Sequence, residues 1–182
     1  MRAPRPILAT VAAVLAAGAL TACNTPEAAA ACPTGAPGTA TAPDWTHPGQ
    51  TGSIVVTGST DTASPQIAVE KPFSVAQTQV QAFDPPGDGA VVAETARVSV
   101  CYLGVNGRTG ERFDSTYDDG KPASFPLDGV IPGFKKAIAG QKVGSSVGVA
   151  VAPEDGYPTG TPDGRIQAGD TIVFAIKILS AS

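Results

Sequence analysis

The sequence is poor in the groups that bind metals or attack substrates. Its 182 residues include three cysteines and a single histidine, His47. Zinc sites usually combine several histidine or cysteine ligands, so we expect no metal and no zinc chemistry. Lys and Arg number 12 against 16 Asp and Glu, for a formal charge of −4. Nucleic-acid binding needs a basic surface, so we expect no nucleic-acid partner. The 21 glycines and 17 prolines also disfavour an all-helical bundle.

Residues 1–22 are typical of a secretory signal peptide. Two arginines precede an apolar run from Ile7 to Leu20, which is too short to span a hydrocarbon core of about 30 Å. The run ends in Leu20-Thr21-Ala22-Cys23, which resembles a bacterial lipobox. We therefore expect cleavage before Cys23, a lipid on its thiol and a location on the extracytoplasmic face of the cell membrane. An ordinary signal peptide with an incidental cysteine is the alternative. Without residues 1–22 the formal charge falls to −6, so acyl chains rather than a basic patch would hold the protein at the membrane.

Residues 23–65 are predicted to form a flexible, lipidated tether. They are rich in Ala, Pro, Thr and Gly, and Ile54-Val55-Val56 is their main aliphatic cluster. Such a segment buries too little apolar surface to offset the entropy lost on ordering. For Trp45 and His47, which lie within it, we favour a local contact with the following domain over a recognition site.

Two further cysteines are Cys32 in the tether and Cys101 in an apolar segment. Outside the cytoplasm such a pair can form a disulfide. A buried unpaired cysteine packs as a small hydrophobic residue. The sequence leaves both states open.

Residues 66–182 are predicted to form one globular domain. Strand-like patterns occur at 78–83, 97–103, 146–151 and 171–178, and Asn106-Gly107 is a hairpin-type turn. One short helix begins at Pro132 and ends near Gly140. Its apolar side consists of Phe134, Ala137 and Ile138. These elements predict an α+β fold in which an antiparallel sheet buries one face against the helix.

The order and spacing of short segments across residues 78–179 are similar to those of the FKBP family of macrolide-binding peptidyl-prolyl isomerases. The resemblance covers nearly the whole globular part. It implies an antiparallel half-barrel sheet wrapped around one short helix, with an apolar pocket between them. It also implies a monomer without cofactor that acts on proline-containing polypeptides and takes a macrolide as a further ligand. The segments that carry it are 86–89, 98–104, 113–116, 122–127, 130–134, 140–144, 153–157 and 172–174.

The resemblance also implies roles for individual residues. The backbone N–H of Ile131 and the hydroxyl of Tyr157 would each hold a carbonyl of the ligand, and Ile166 would be a loop residue that covers the pocket. Catalytic positions would be Tyr102, Phe113, Asp114, Phe134, Tyr157 and Phe174, and substrate-binding positions Phe125, Val130, Ile131 and Ile166.

These residue types suit the chemistry. Rotation about an X–Pro bond is opposed by amide resonance, with a barrier of about 18–20 kcal/mol. A dry aromatic pocket disfavours the charge-separated planar amide and accepts the less polar twisted one. Binding the twisted state more tightly than either planar state is sufficient for catalysis, so no nucleophile is needed.

Four positions depart from the family pattern. Ala123 replaces a pocket-edge aromatic residue, Phe134 replaces a tryptophan, Pro158 replaces a common glycine, and Arg165 stands where the family often has an apolar residue. We therefore expect reduced isomerase activity and weaker macrolide binding.

Two other functions are compatible with parts of the sequence. A non-catalytic module could hold a proline-containing segment of an envelope partner in the same groove. Gly144-Ser145-Ser146-Val147-Gly148 fits the G-x-S-x-G motif of serine hydrolases, but that motif needs a helix after the serine and a later histidine. His47 lies upstream, which disfavours a hydrolase. The adjacent carboxylates Asp118 and Asp119 do not indicate a metal site, because Asp118-Asp119-Gly120 is a common turn sequence.

Overall fold

The computed structural model describes residues 31–38 and 42–182. The expected signal peptide and the lipidation site Cys23 lie outside these residues. No helix in the described part of the chain is long and apolar enough to span a membrane. Within it the elements are β1 (Trp45–Pro48), β2 (Thr51–Thr57), β3 (Gln66–Ser74), β4 (Gln79–Ala82), β5 (Arg97–Asn106), β6 (Arg112–Ser115), β7 (Ala123–Pro126), α1 (Pro132–Ile138), β8 (Ser146–Val151) and β9 (Ile172–Ala181).

The larger of two sheets forms the frame of the molecule. It is antiparallel, with the strand order β4-β8-β9-β5-β6, and β7 pairs with β5 beside this path. The four strands predicted from the sequence correspond to β4, β5, β8 and β9. In β9, Ile172, Phe174, Ile176 and Ile178 alternate along the strand and all lie in the core beneath α1.

Helix α1 lies across one face of this sheet. It begins at Pro132 as predicted, and its buried side chains include Phe134, Ala137 and Ile138. Gly133 makes the close approach possible, because a Cβ there would lie 2.3 Å from Cγ1 of Val151. Gly140 follows the helix with φ +80°, a conformation that glycine adopts without strain. The predicted antiparallel sheet around one short helix is confirmed.

The opposite face of the large sheet is covered by a second sheet, of order β1-β2-β3. Here the structure corrects the expectation of a flexible tether, because residues 45–57 form two strands. Ile54 and Val56 are fully buried. The apolar partners that offset the ordering entropy come from outside the segment. They are mainly Phe73, Val75, Phe83, Ala150, Ala152, Val173 and Ala175.

Trp45 contacts the domain, as favoured from the sequence. Its ring lies over Gly148 of β8, where a Cβ would be 2.7 Å from Cε3 of the indole. Only 8% of Trp45 remains exposed. Because Gly148 has no side chain, the Trp45 ring of β1 packs directly on the backbone of β8.

Cys32 and Cys101 form a disulfide, which decides between the two states that the sequence left open. Cys101 lies in β5, and Cys32 also donates its backbone N–H to the carbonyl of Gly120 at 2.9 Å. Both cysteines are buried beside Tyr117. The bond therefore joins the first described segment to a central strand of the large sheet.

A buried carboxylate fixes the loop that leads into β9. Asp170 is 6% exposed. It accepts hydrogen bonds from Arg108 Nε and Asn106 Nδ2, both at 2.7 Å, and from the N–H of Gln167 at 2.8 Å. Burial raises the pKa of Asp170, but these hydrogen bonds outweigh it and the pKa is lowered overall. The cluster joins the end of β5 to the start of β9.

Replacing both Cys32 and Cys101 with serine should lower the free energy of unfolding. The bond closes a loop across a sequence separation of 69 residues, for which loop-closure entropy gives about 4 kcal/mol. Denaturant unfolding of the oxidised protein and the double variant measures the difference. A reductant should destabilise the wild type and leave the variant unchanged. Equal free energies of unfolding for the wild type and the double variant, both measured without reductant, would contradict the prediction.

Stability should fall on acidification partly through Asp170. A carboxyl group whose pKa is lowered by folding stabilises the protein above its unfolded pKa of about 3.9. That contribution is lost as the pH falls through the folded pKa. Asp170→Asn should therefore be less stable at pH 7, and its free energy of unfolding should fall less steeply than that of the wild type below about pH 4. The exposed Asp61→Asn serves as control, and parallel pH profiles for wild type and Asp170→Asn would refute the assignment.

Candidate active site

An aromatic cavity of about 380 Å³ lies between α1 and the large sheet. It is bounded by residues from four strands, the helix and two loops. Its lining residues are Tyr102, Phe113, Asp114, Phe125, Gly129, Val130, Ile131, Phe134, Tyr157 and Phe174.

The rings hold one another in fixed orientations. Phe134 of α1 meets Phe174 of β9 edge to face, with centroids 5.1 Å apart and planes at 90°. Phe113 and Tyr102 also meet Phe174 edge to face, at 5.5 Å and 6.1 Å. Phe125 does the same with Phe134 at 5.5 Å. Edge-to-face contacts stabilise aromatic pairs beyond the area they bury, so the cavity keeps its shape without a ligand.

A glycine beneath two of these rings makes the packing possible. Gly104 lies in β5, where a Cβ would be 2.7 Å from Cζ of Phe113 and 2.8 Å from Cε1 of Phe174. Any side chain at this position would push one of the rings out of place. Sequence reasoning did not single out Gly104, nor the lining residue Gly129, since neither carries a reactive group.

One carboxylate lies at the edge of the cavity. The hydroxyl of Tyr102 donates a 2.5 Å hydrogen bond to Oδ2 of Asp114, and the N–H of Ser115 donates to Oδ1 at 2.9 Å. Burial, and then the hydrogen bond to Asp114, raises the pKa of Tyr102. Tyr102 therefore keeps its proton at neutral pH, and its ring is fixed by the carboxylate.

The turn before Tyr157 is held at Asp155. Its Oδ2 accepts hydrogen bonds from the Thr78 hydroxyl at 2.5 Å and from Lys136 Nζ at 2.7 Å. The hydrogen bonds from Lys136 and Thr78 lower the pKa of Asp155. Because Lys136 belongs to α1, this ion pair joins the turn before Tyr157 to the helix that carries Phe134.

Nine of the ten site residues named from the sequence lie around this cavity. Ile166 does not. It is 3% exposed and packs into the core beneath α1, whereas its neighbour Arg165 is exposed. Ala123 does not line the cavity either, and Phe125, two residues along β7, does.

Other candidate sites fit their chemistry less well. Ser146 begins strand β8 rather than a turn into a helix, and His47 lies in β1 of the other sheet, so the hydrolase motif lacks its required setting. No group of three potential metal ligands occurs within the described part of the chain. A larger cleft of about 620 Å³, lined partly by Asp44, Asp84 and Asp88, has Phe83 as its one aromatic residue.

Comparisons with known proteins agree with this geometry. Residues 89–179 match the family described as FKBP-type peptidyl-prolyl cis-trans isomerase. A probable FK506-binding protein of Corynebacterium glutamicum is 42% identical over 96 residues, which are 52% of this chain and 80% of that protein. The FKBP-type 22 kDa peptidyl-prolyl cis-trans isomerase of Escherichia coli is 37% identical over 51% of this chain, but over only 45% of its own length.

A solved structure extends the comparison to the fold. The crystal structure of FkpA from Escherichia coli superposes with a TM-score of 0.53 at 32% identity. The superposition covers 58% of this chain and 48% of FkpA. Strands β1 to β4 precede the family match at 89–179. By these matches, the chain belongs to the FKBP-type peptidyl-prolyl cis-trans isomerases, a family of enzymes.

Proposed function

We propose that this protein accelerates cis–trans rotation about X–Pro bonds in exported polypeptides at the cell envelope. The observation that carries the proposal is the cavity itself. Four phenylalanines and Tyr102 surround a space of about 380 Å³, and Asp114 and Tyr157 add polar side chains to its lining. Such a space matches a pyrrolidine ring with its flanking peptide, because small-ligand pockets are largely apolar with few polar anchors.

The catalytic step follows from the difference between planar and twisted amides. With the proline ring against the buried rings of Phe134 and Phe174, the amide lies where water has little access. Loss of water removes stabilisation from the polar planar amide more than from the twisted one. Stronger binding of the twisted state lowers the barrier to rotation without any covalent intermediate.

Polar groups at the rim orient the chain. In this proposal the backbone N–H of Ile131 and the hydroxyl of Tyr157 each donate to a carbonyl next to the proline. Ile131 directly precedes α1, so its N–H is not used within the helix. Asp114 acts through Tyr102, whose ring it fixes as a wall. Val130 and Phe125 complete the rim on the side of β7.

The envelope location is supported by the covalent structure. A disulfide such as Cys32–Cys101 persists in oxidising compartments outside the cytoplasm. The proposed lipid site Cys23 precedes Cys32 by nine residues, a span of at most about 30 Å even when fully extended. A lipidated protein would therefore work close to the membrane surface, on clients that pass near it.

A macrolide is proposed as a second ligand of the same cavity. A relative named as an FK506-binding protein shares 42% identity with this chain. Phe134 offers less area than a tryptophan and has no indole N–H, so we propose weaker macrolide binding than in family members with tryptophan there.

A proline-containing tetrapeptide assay tests the proposed activity on the chain from residue 24 onward, which retains every described residue. We expect isomerisation faster than the uncatalysed rate. Tyr157→Phe should lower kcat/KM about fivefold, since one hydrogen bond contributes about 1 kcal/mol. Its ring remains, so folding should be preserved.

Ser146→Ala is the matched control, because it removes a hydroxyl outside the cavity and should leave the rate unchanged. If the folded wild-type protein left isomerisation of the peptide at its uncatalysed rate, the proposed turnover would be rejected. If that protein still bound proline-containing peptides, it would be a non-catalytic binding module.

The anchor is tested separately by mass spectrometry of the mature protein. We expect the chain to begin at Cys23 and to carry the additional mass of acyl groups. Cys23→Ser should release the protein from the membrane fraction with kcat/KM unchanged. An N-terminus at another residue, or a Cys23 of unmodified mass, would contradict lipidation without affecting the catalytic proposal.

A further inference from the structure

Arg165 joins the loop after Tyr157 to a wall of the cavity. The loop, residues 157–170, is called the cavity loop below. The Arg165 side chain is 64% exposed. Its Nη1 nevertheless donates a 2.5 Å hydrogen bond to the carbonyl oxygen of Phe113. The Arg165 side chain, although largely exposed, is therefore held by a backbone carbonyl of β6, the strand that carries the Phe113 ring.

The backbone at Phe113 is weakly supported by its own sheet. Strand β6 is the last in the order β4-β8-β9-β5-β6. Its register with β5 pairs Gly104 with Asp114 and Val105 with Arg112, and the shift between them leaves Phe113 without a Cα partner. A bulged residue on an edge strand loses ladder hydrogen bonds. The bond from Arg165 compensates at this position.

Asp163 orients the guanidinium group of Arg165 towards Phe113. Asp163 Oδ2 accepts from Arg165 Nε at 2.5 Å, and its Oδ1 accepts from the Thr161 hydroxyl at 2.6 Å. Oδ1 also accepts from the N–H of Arg165 at 3.2 Å. Hydrogen bonds from Thr161 and then Arg165 lower the pKa of Asp163 to about 2, so this carboxylate stays charged at neutral pH.

The other end of the cavity loop is also fixed. Asn106 Nδ2 donates to the carbonyl of Arg165 at 2.9 Å and to the buried Asp170 at 2.7 Å. The backbone of Arg165 is thus tied to β5 while its side chain reaches β6. Arg165 therefore links β5 to β6 through its backbone carbonyl and its side chain.

We infer that Arg165 is a positioning residue for the reaction: it fastens the cavity loop to β6 and so fixes the Phe113 ring as a wall of the substrate cavity. This inference rests on the proposed function. The Phe113 ring would contact the proline in its planar and twisted states alike. Loosening it therefore removes uniform binding, which raises KM and leaves kcat nearly unchanged.

The test compares Arg165→Met, which keeps an unbranched apolar stem but removes all donors, with Arg165→Lys, which keeps one cationic donor. Arg112→Met is the matched control, because Arg112 is an exposed arginine next to Phe113 whose Nη1 bonds to Asp118 at 2.6 Å. Peptide kinetics give KM and kcat. Aromatic NMR signals of Phe113 in the free protein report its ring position without substrate.

We expect Arg165→Met to raise KM about fivefold, as for loss of one hydrogen bond, to keep kcat within about twofold and to shift the Phe113 signals. In Arg165→Lys, both KM and the Phe113 signals should lie close to their wild-type values, and Arg112→Met should change neither. Unchanged KM and unchanged Phe113 signals in Arg165→Met would overturn the inference. So would equal effects from Arg112→Met, or a loss that lysine does not restore.

Failure of the proposed function gives a different result. In that case the wild type would not accelerate isomerisation, whereas the Phe113 signals of the free variants would still respond to residue 165. Thermal unfolding of each variant checks that the comparison is made on folded protein.

Discussion

Burial of both faces of the large sheet is the constraint on which the rest of the structure depends. On one face, large side chains of β9 such as Ile172 and Phe174 pack beneath α1. On the other face, Val173 and Ala175 pack against the second sheet. The small residues Gly148 and Ala150 of β8 let that sheet approach closely. Strands buried on both faces read as continuous apolar runs, which is why β9 has the strongest pattern in the sequence.

The cavity is a consequence of this packing rather than an addition to it. Phe134 and Phe174 belong to the core beneath α1 and also line the cavity. Their edge-to-face contacts fix both rings through neighbours that the fold needs in any case. Positioning of the walls therefore costs no ordering when a substrate binds. A site of this kind can act through shape and exclusion of water, which suits a chain with few reactive side chains.

The sequence predicted the parts whose signals are local. Strand-like apolar patterns identified β4, β5, β8 and β9, and the spacing of Phe134, Ala137 and Ile138 identified α1. The cavity residues followed only from the family resemblance, since Phe113 and Phe174 alone look like ordinary core residues. The second sheet escaped prediction because the apolar partners of Ile54 and Trp45 lie outside their own segment, several of them in β8 and β9. Ile166 was misplaced because the cavity loop has no periodicity that tells inward from outward side chains.

The covered outer face has a consequence for how the chain matures. Strands β1 and β2 are synthesised first, yet Val173 and Ala175, which shield their apolar side, lie near the C-terminus. The disulfide of Cys32 likewise cannot form until Cys101, 69 residues later, has been synthesised. Contacts so distant in sequence make folding slow, and the second sheet lacks part of its apolar cover until β8 and β9 have been synthesised. The proposed export is compatible with this delay, because an exported polypeptide crosses the membrane before it folds.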